Sequence, residues 1–432
     1  MRYTMILAGL AIFLAEGPAA AGETLAPERV LPLHEERDAY TPCAAFVKDN
    51  YIVAWQSGRL APGDLREGYK FNADIVGCRI DKSGNALDAK PFVICKAGDL
   101  QERPRLAAGK DVALIVWHDL RNGKDWDVYA ARVSPDGKVL DPDGFLVSGG
   151  AHNQACPRVA WDGKTFVVVW QDYRGGKKYE IYVARVGADG KVLDAEGIRM
   201  VASDSELVCY DPAVASSGDG RSCVFWSCDD PPGVYRRHPA FEGLFLVDGK
   251  PSELFYQEVV AGGHESVPGG ANTPLFAAAG QTTYLLAWRT EAFVGRGKGG
   301  HTGVNAWFFD AQGTKGASLT LSGAQQRIMN ADLAWDGSAF VAAWTEYVKA
   351  WGVWNGVKGW STPVEAASVS RISEQGKLVG AVQEVAGKAG APPAANVCVA
   401  SDGAGTSLIA YEKHPETGDI PIKIAFRMLI AK

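Results

Sequence analysis

The stretch WHDLRNGKDWDVYAARVSPDGKVLD, from Trp117 to Asp141, is followed by a near copy, WQDYRGGKKYEIYVARVGADGKVLD, from Trp170 to Asp194. Repetition at a spacing of roughly 50 residues is typical of proteins built from stacked supersecondary units, none of which can bury its own faces. The two stretches therefore predict a repeat fold. The places where the copies differ are where a function specific to one unit should be sought.

Seven copies can be aligned on a short apolar strand, a tight turn and a second strand that ends in an aromatic residue. The second strands end at Trp55, Trp117, Trp170, Trp226, Trp288, Trp344 and Tyr411. Three residues after the first position of every copy stands an alanine: Ala45, Ala107, Ala160, Ala215, Ala277, Ala334 and Ala400. A third strand, a glycine-containing hairpin and a short fourth strand complete a copy. We expect the alanine on the innermost strand, where the copies converge and only a small side chain fits.

The seventh copy stops after its third strand, at Lys432. The segment RVLPLHEERDAYTP, which begins at Arg29, matches the segment GFLVSGGAHNQACP that precedes the third copy. The N-terminal segment can therefore supply the missing fourth strand and leave no open edge. The sequence predicts an all-β fold, a seven-bladed β-propeller of four-stranded antiparallel blades, with residues 22–432 forming one domain.

The first 21 residues have the features of a secretory signal. A basic residue, Arg2, precedes an apolar run from Met5 to Ala15, and small residues end the segment at Ala19 to Ala21. No later segment is apolar and long enough to span a bilayer. We therefore expect a secreted or periplasmic monomer without a membrane span.

The net charge of -6 argues against nucleic acid as a partner. No local metal-binding motif is present, so a divalent metal would have to be held by His residues from separate loops. The eight Cys permit disulfides in an exported chain. Cys209 and Cys228 flank one predicted hairpin and should lie opposite each other, and Cys78 with Cys95 is a second candidate pair.

The motifs Trp-Gln-Asp-x-Arg and Asp-Ile-Tyr-x-Ala-Arg-Val, followed by Asp-Gly, resemble the repeat of secreted bacterial β-propeller proteins. The resemblance covers the region after residue 21 and is strongest in copies two and three. It implies the fold and brings no catalytic motif.

Residue types that recur from blade to blade are interpreted as structural. Asp119, Arg121, Gly123 and Asp127 recur as Asp172, Arg174, Gly176 and Glu180, which indicates loop capping with a local ion pair. One position of the third strand carries Arg79, Arg132, Arg185, Arg371 and Arg427. We expect these arginines to stabilise the blades.

The predicted connectivity places all the long loops on one face, here called the loop-rich face, and the glycine hairpins on the other. All seven His fall on the loop-rich face: His34, His118, His152, His238, His264, His301 and His414. Two explanations of this clustering are equally good: the face carries a functional site, or it simply has most of the loop length, where polar residues are common. Nearest the axis we expect an axial ring, made of the residue directly before the first position of each copy: Thr41, Arg103, Cys156, Asp211, Thr273, Asn330 and Asn396.

Blades two to four carry the densest candidate site. His and Tyr can transfer a proton and Arg can hold a carboxylate, which are the needs of β-elimination beside a uronic acid. The candidate catalytic residues are His152, Tyr210, His118 and Arg237. The candidate ligand-binding residues are Tyr40, Arg103, Asn153, Asp211, Arg236, His238, His264, His301 and Asn330.

Three functions remain open. The first is binding of an extracellular glycan or another polymer by the loop-rich face. The second is cleavage of a uronic-acid polysaccharide, because the chain resembles ulvan-type polysaccharide lyases in architecture and in this residue mix. The third is a protein-interaction platform. The loop WGVWNGVKGW, Trp351 to Trp360, could stack on a sugar or pack on the rim as an apolar flap, and packing is slightly favoured.

Overall fold

The protein is described from a computed structural model. It describes residues 23–35, 37–60, 71–201, 205–229, 240–259, 275–292, 301–321, 327–348, 351–354, 357–360, 364–387, 392–415 and 421–431. At several strand ends beside the gaps, including His301 and both strands between 351 and 360, only the backbone is described. The predicted signal segment, residues 1–21, lies outside the described residues.

Seven four-stranded antiparallel blades form the structure, as predicted. Blade one consists of β3 (Asp38–Val47), β4 (Asn50–Leu60), β5 (Phe71–Asp81) and β6 (Phe92–Cys95). Blade two consists of β7 (Gln101–Ala108), β8 (Ala113–Asp119), β9 (Asp127–Val133) and β10 (Phe145–Ser148). Blade three consists of β11 (Gln154–Trp161), β12 (Phe166–Asp172), β13 (Glu180–Val186) and β14 (Ile198–Arg199).

The later blades follow the same order. Blade four consists of β15 (Val208–Ser216), β16 (Arg221–Asp229), β17 (Ala240–Val247) and β18 (Lys250–Val259). Blade five consists of β19 (Leu275–Ala279), β20 (Thr283–Ala292), β21 (His301–Asp310) and β22 (Lys315–Thr320). Blade six consists of β23 (Arg327–Trp335), β24 (Phe340–Val348), β27 (Val364–Ile372) and β28 (Leu378–Ala386). Blade seven contains β29 (Ala394–Ser401), β30 (Thr406–Lys413) and β31 (Lys423–Ala431).

The N-terminal segment closes the ring, as predicted. Two short strands, β1 (Glu23–Leu25) and β2 (Arg29–Val30), pair antiparallel with β31 and complete blade seven. The first strands of successive blades contact one another from β3 through β29 and back to β3, so they surround the axis. The repeated alanines therefore lie on the innermost strands, as predicted.

The core lies between the blades. Each apolar cluster joins two neighbouring blades, and the aromatic residues that end the second strands lie inside these clusters. Trp55, Trp117, Trp170 and Trp226 are at most 1% exposed. Burial of such large rings is the main apolar contribution to blade packing.

The residues repeated between copies two and three are structural, as predicted. Asp119 accepts the indole N–H of Trp117 at 2.7 Å and pairs with Arg121 at 2.6 Å, and Asp172 does the same for Trp170 and Arg174. The third-strand arginines also act within the blades, because Arg132 pairs with Asp141 and Arg185 with Asp194, both at 2.8 Å.

The backbone of the tryptophan-rich loop forms a separate two-stranded sheet, and its stacking on a sugar or packing on the rim stays a prediction. Strands β25 (Trp351–Trp354) and β26 (Val357–Trp360) form a hairpin inserted between β24 and β27. The side chains of this hairpin lie outside the described part of the structure. The described residues include no helix, so none is long and apolar enough to cross a membrane.

Candidate functional site

The axial ring is formed by a backbone feature that recurs from blade to blade. Thr41, Arg103, Cys156, Asp211 and Asn396 all have a left-handed backbone, with φ between 46° and 54°. At each of them the register of the first and second strands shifts, as at a β-bulge. A left-handed non-glycine residue costs about 1 kcal/mol or more, and such bulges re-aim side chains at the edges of sheets. The bulges bring these five residues to the mouth of the axis on the loop-rich face.

Four described ring residues, Thr41, Arg103, Cys156 and Asp211, place their backbone N–H against a side chain of the blade before them. The backbone N–H groups of Thr41 and Asp211 donate to the side chains of Glu412 at 2.6 Å and Gln171 at 3.1 Å. The N–H of Arg103 lies 3.5 Å from Gln56 Oε1. All these acceptors directly follow the aromatic residue that ends a second strand. One side-chain position therefore links neighbouring blades by hydrogen bonds at the mouth.

In blade two, His118 occupies this position directly after the aromatic residue that ends the second strand. Its Nδ1 lies 3.4 Å from the backbone N–H of Cys156, and only 5% of the residue is exposed. Its ring packs on Trp126 with centroids 4.5 Å apart. The sequence places His118 at the end of a second strand, where the structure has it, and the structure adds a stabilising role that the sequence did not reveal.

His118 lies between two groups that change its acidity. Its Nε2 is 3.7 Å from Glu102 Oε2, and Cys156 lies on its other side. Burial lowers the pKa of His118, but Cys156 and Glu102 outweigh burial and the net effect is a raised pKa. Burial raises the pKa of the Cys156 thiol, but His118 outweighs it and the net pKa is lowered. The three side chains can share a proton at the mouth of the axis.

A row of four aromatic rings crosses blades three and four on the same face. The centroid of His152 is 5.7 Å from that of Tyr173, Tyr173 is 4.9 Å from Tyr179, and Tyr179 is 5.8 Å from Tyr210. His152 is exposed and has a left-handed φ of 62°, while the three tyrosines are half-buried. We call His152, Tyr173, Tyr179 and Tyr210 the aromatic row. It brings together two of the residues that the sequence singled out.

Asn153 connects this row to blade two. Its Oδ1 accepts the backbone N–H of Trp126 at 3.1 Å, and its Nδ2 lies 3.5 Å from the hydroxyl of Tyr179. Its carbonyl accepts the N–H of Tyr173 at 2.8 Å. Asn153 therefore orders the loops that carry the aromatic row.

The other candidates are distributed around the axis. Asn330 donates to Asn396 Oδ1 at 3.1 Å, and Asn396 donates to Glu412 at 2.6 Å, so Asn330 belongs to the opposite side of the ring. Tyr40 and Asp211 are half-buried and Arg103 is exposed. Arg236, Arg237, His238 and His264 lie outside the described residues, as does the side chain of His301. Their predicted roles remain predictions.

Below the mouth, charged side chains belong to the innermost strands. Arg105 and Arg158 occupy one position in blades two and three, and Asp332 occupies it in blade six. Burial, together with the charge of Arg105, lowers the pKa of Arg158 to about 9, which leaves it a cation at neutral pH. Burial raises the pKa of Asp332, whose carboxylate accepts the N–H of Val399 at 2.9 Å. This layer was not recognised in the sequence, although its residues share one position of the repeat.

All eight cysteines are free thiols. Cys209 and Cys228 lie opposite each other, as predicted, with their sulfurs 3.3 Å apart and unbonded. Pairing of Cys78 with Cys95 is wrong, because the two side chains pack into different clusters, on opposite faces of blade one. Within the described residues no group of His side chains forms a metal site, and the one group with suitable donors is Cys209, Cys228 and Glu242.

Sequence analysis missed Trp126, Tyr173 and Tyr179. Trp126 and Tyr179 occupy equivalent positions of copies two and three, so their repetition favoured a structural role. Tyr173 could have been found, because it replaces Leu120 of the preceding copy.

Comparison with protein families finds no match, and comparison with curated proteins finds none. Among solved structures, a protein of unknown function from Dyadobacter fermentans superposes with a TM-score of 0.54 at 12% identity, covering 95% of this chain and 100% of that one. The polysaccharide lyase Uly1 superposes with a TM-score of 0.52 at 8% identity, covering 90% of this chain and 89% of that one. At such low identity these similarities show the propeller fold and its likeness to a lyase in architecture.

Proposed function

We propose that the protein is exported and binds an extracellular glycan with the loop-rich face of its propeller. The observation that carries the proposal is the aromatic row, which places one exposed ring and three half-buried rings side by side at the rim. Aromatic side chains offer a flat apolar face with a polar edge, which suits the alternating C–H and hydroxyl surfaces of a sugar. The spacing of the rings allows an extended ligand to contact several of them.

The charge of Arg103 at the mouth of the axis favours an acidic glycan. Arg103 is exposed in the axial ring, and its charge acts on both His118 and Cys156. A guanidinium can bind a carboxylate through two parallel hydrogen bonds. We therefore expect polymers that contain uronic acid to bind more tightly than neutral ones of the same length.

A lyase is the second candidate. His152 lies edge-on to Tyr173 at an interplanar angle of 80°, so two groups able to transfer protons share one exposed corner. In β-elimination a base removes the proton next to the carboxylate while an acid protonates the departing glycosidic oxygen. Uly1 is a polysaccharide lyase with this fold. His152 and Tyr173, with Arg103 or Arg237 holding the carboxylate, would be the groups involved, whereas Tyr210 lies at the other end of the aromatic row.

A panel of neutral and uronic-acid polysaccharides distinguishes these functions. Binding is followed by calorimetry, and elimination by the ultraviolet absorbance of the unsaturated product. Binding of uronic-acid polymers without new absorbance supports the glycan-binding function, and new absorbance supports the lyase. If no member of the panel binds, the protein-interaction platform becomes the better hypothesis.

A further inference from the structure

Blades two and three share a polar cluster at the end of the second strand. Gln101 faces Asp119, and Gln154 faces Asp172, with amide nitrogen and carboxylate 3.4 Å apart in both blades. The carboxylates also bind Arg121 and Arg174. These arginines stack on Tyr129 and Tyr182, at 3.8 Å and 4.2 Å from the ring centroids.

Blade four replaces this cluster position by position. Cys209 stands opposite Cys228, where blades two and three pair Gln with Asp. Glu242 stands opposite Trp226, where blades two and three pair Tyr with Trp. The position of the repeated arginine carries Asp230 in the sequence. Blade four has thus exchanged an amide, a carboxylate and a phenol for two thiols and a carboxylate.

The three exchanged side chains lie together in the interior. Cys209, Cys228 and Glu242 are 0%, 1% and 4% exposed, and their donor atoms all lie within 4.8 Å of one another. The indole N–H of Trp226 donates to Glu242 Oε2 at 2.9 Å and orients the carboxylate. A hydrogen bond that fixes a ligand in this way is a usual part of metal sites.

A pocket of about 270 Å³ opens beside the cluster. Glu242 and Trp226 line it together with Met200 and Leu244. The pocket reaches the cluster at Glu242 and leaves room there for a metal ion to enter and for a water molecule.

We propose that Cys209, Cys228 and Glu242 form a binding site for a zinc ion, with a fourth position open toward the pocket. Thiolate and carboxylate donors both bind zinc, and sites with three protein ligands keep one position for water or a small ligand. Two sulfurs on one zinc ion lie about 3.8 Å apart and two sulfurs of a disulfide about 2.0 Å apart. The observed separation of 3.3 Å is closer to the zinc geometry, and Glu242 supplies a third donor that a disulfide does not need.

The test uses the full chain, reduced and then freed of reductant and metal. Cobalt is titrated in, and the thiolate-to-cobalt charge-transfer absorbance in the near ultraviolet is recorded. We expect one ion per chain, displacement by zinc and a higher melting temperature with zinc. Cys209→Ala and Cys228→Ala should remove the band, and Glu242→Gln should weaken zinc binding by about tenfold or more.

The matched control is Cys223→Ala. Cys223 is a buried thiol on β16, the strand that carries Cys228, but its side chain packs toward blade five. This variant should bind cobalt as the unaltered protein does. Cadmium NMR of the unaltered protein, whose shift reports thiolate ligands, gives a result that does not depend on folding of the variants. The proposal is overturned if the folded, reduced protein binds no cobalt, or if Cys223→Ala loses the band as the other variants do. If the purified protein contains a disulfide between Cys209 and Cys228, reduction of that disulfide must restore metal binding, and failure to do so also overturns the proposal.

Discussion

At the scale of single residues, one position decides how the blades meet at the mouth. His118 occupies in blade two the place that Gln56 and Gln171 occupy in blades one and three, and all three accept from a left-handed residue of the next blade. A glutamine can do this bonding without charge. Imidazole in the same place adds a titratable group, because Glu102 and Cys156 lie beside it.

Replacing His118 by Gln should change how stability depends on pH. Because the net pKa of His118 is raised in the folded protein, its charge stabilises the fold below the unfolded value near 6.5 and this contribution is lost as pH rises through the folded pKa. Relative to His118→Gln, the free energy of unfolding of the unaltered protein should therefore fall as pH rises above about 6.5. Urea unfolding at several pH values measures the difference, and parallel curves would contradict it.

Cys156 should be the first thiol to react with iodoacetamide. It is half-buried while the other cysteines are buried, and its net pKa is lowered by His118 although burial opposes this effect. Thiolate is the reactive form, so exposure and acidity act in the same direction. Peptide mapping after short labelling near neutral pH identifies the site. Equal labelling rates in the unaltered protein and His118→Gln would show that the imidazole does not activate the thiol.

At the scale of strands, closure depends on a short segment far away in sequence. The carboxylate of Glu28 accepts the Tyr411 hydroxyl at 2.5 Å and pairs with Lys413. Leu31 is 3% exposed and packs with Phe426 and Met428 of β31. The segment thus contributes an apolar anchor as well as strand pairing.

Deleting Glu28 to Leu33 should lower the melting temperature far more than trimming a free terminus does, because it removes β2 and exposes an edge of β31.

A matched pair of substitutions isolates the packing contribution of this segment. Leu31→Ala should cost about 2–4 kcal/mol, while Val30→Ala, at a residue that is 43% exposed, should cost about 1 kcal/mol or less. Similar costs for the two substitutions would mean that the anchor does not hold the ring closed.

At the scale of the whole molecule, the fold could be predicted and the site only in part. Strand period, the repeated alanine and the N-terminal match all depend on local pattern, so they predict blade number and closure. The aromatic row depends on contacts between loops of different blades, and no sequence spacing encodes the 4.9 Å between Tyr173 and Tyr179. Trp126 and Tyr179 stand at one position of the repeat, and a repeated position is explained by the blade alone, although it can serve both the blade and the mouth.

Glycan binding by the aromatic row is tested most directly by comparing two variants. Tyr179 is in the middle of the row, and Leu193 is 42% exposed near the hairpins of the opposite face. Calorimetric titration with a uronic-acid polysaccharide should show that Tyr179→Ala weakens binding by about tenfold, roughly 1.4 kcal/mol, because a central stacking surface is lost. Leu193→Ala should bind as the unaltered protein does, and both titrations are run well below the unfolding temperature of each variant, because Tyr179→Ala also loses packing against Tyr173 and Tyr210. Equal affinity of Tyr179→Ala and Leu193→Ala for a polysaccharide that binds the unaltered protein would contradict the assignment of this face as the binding site.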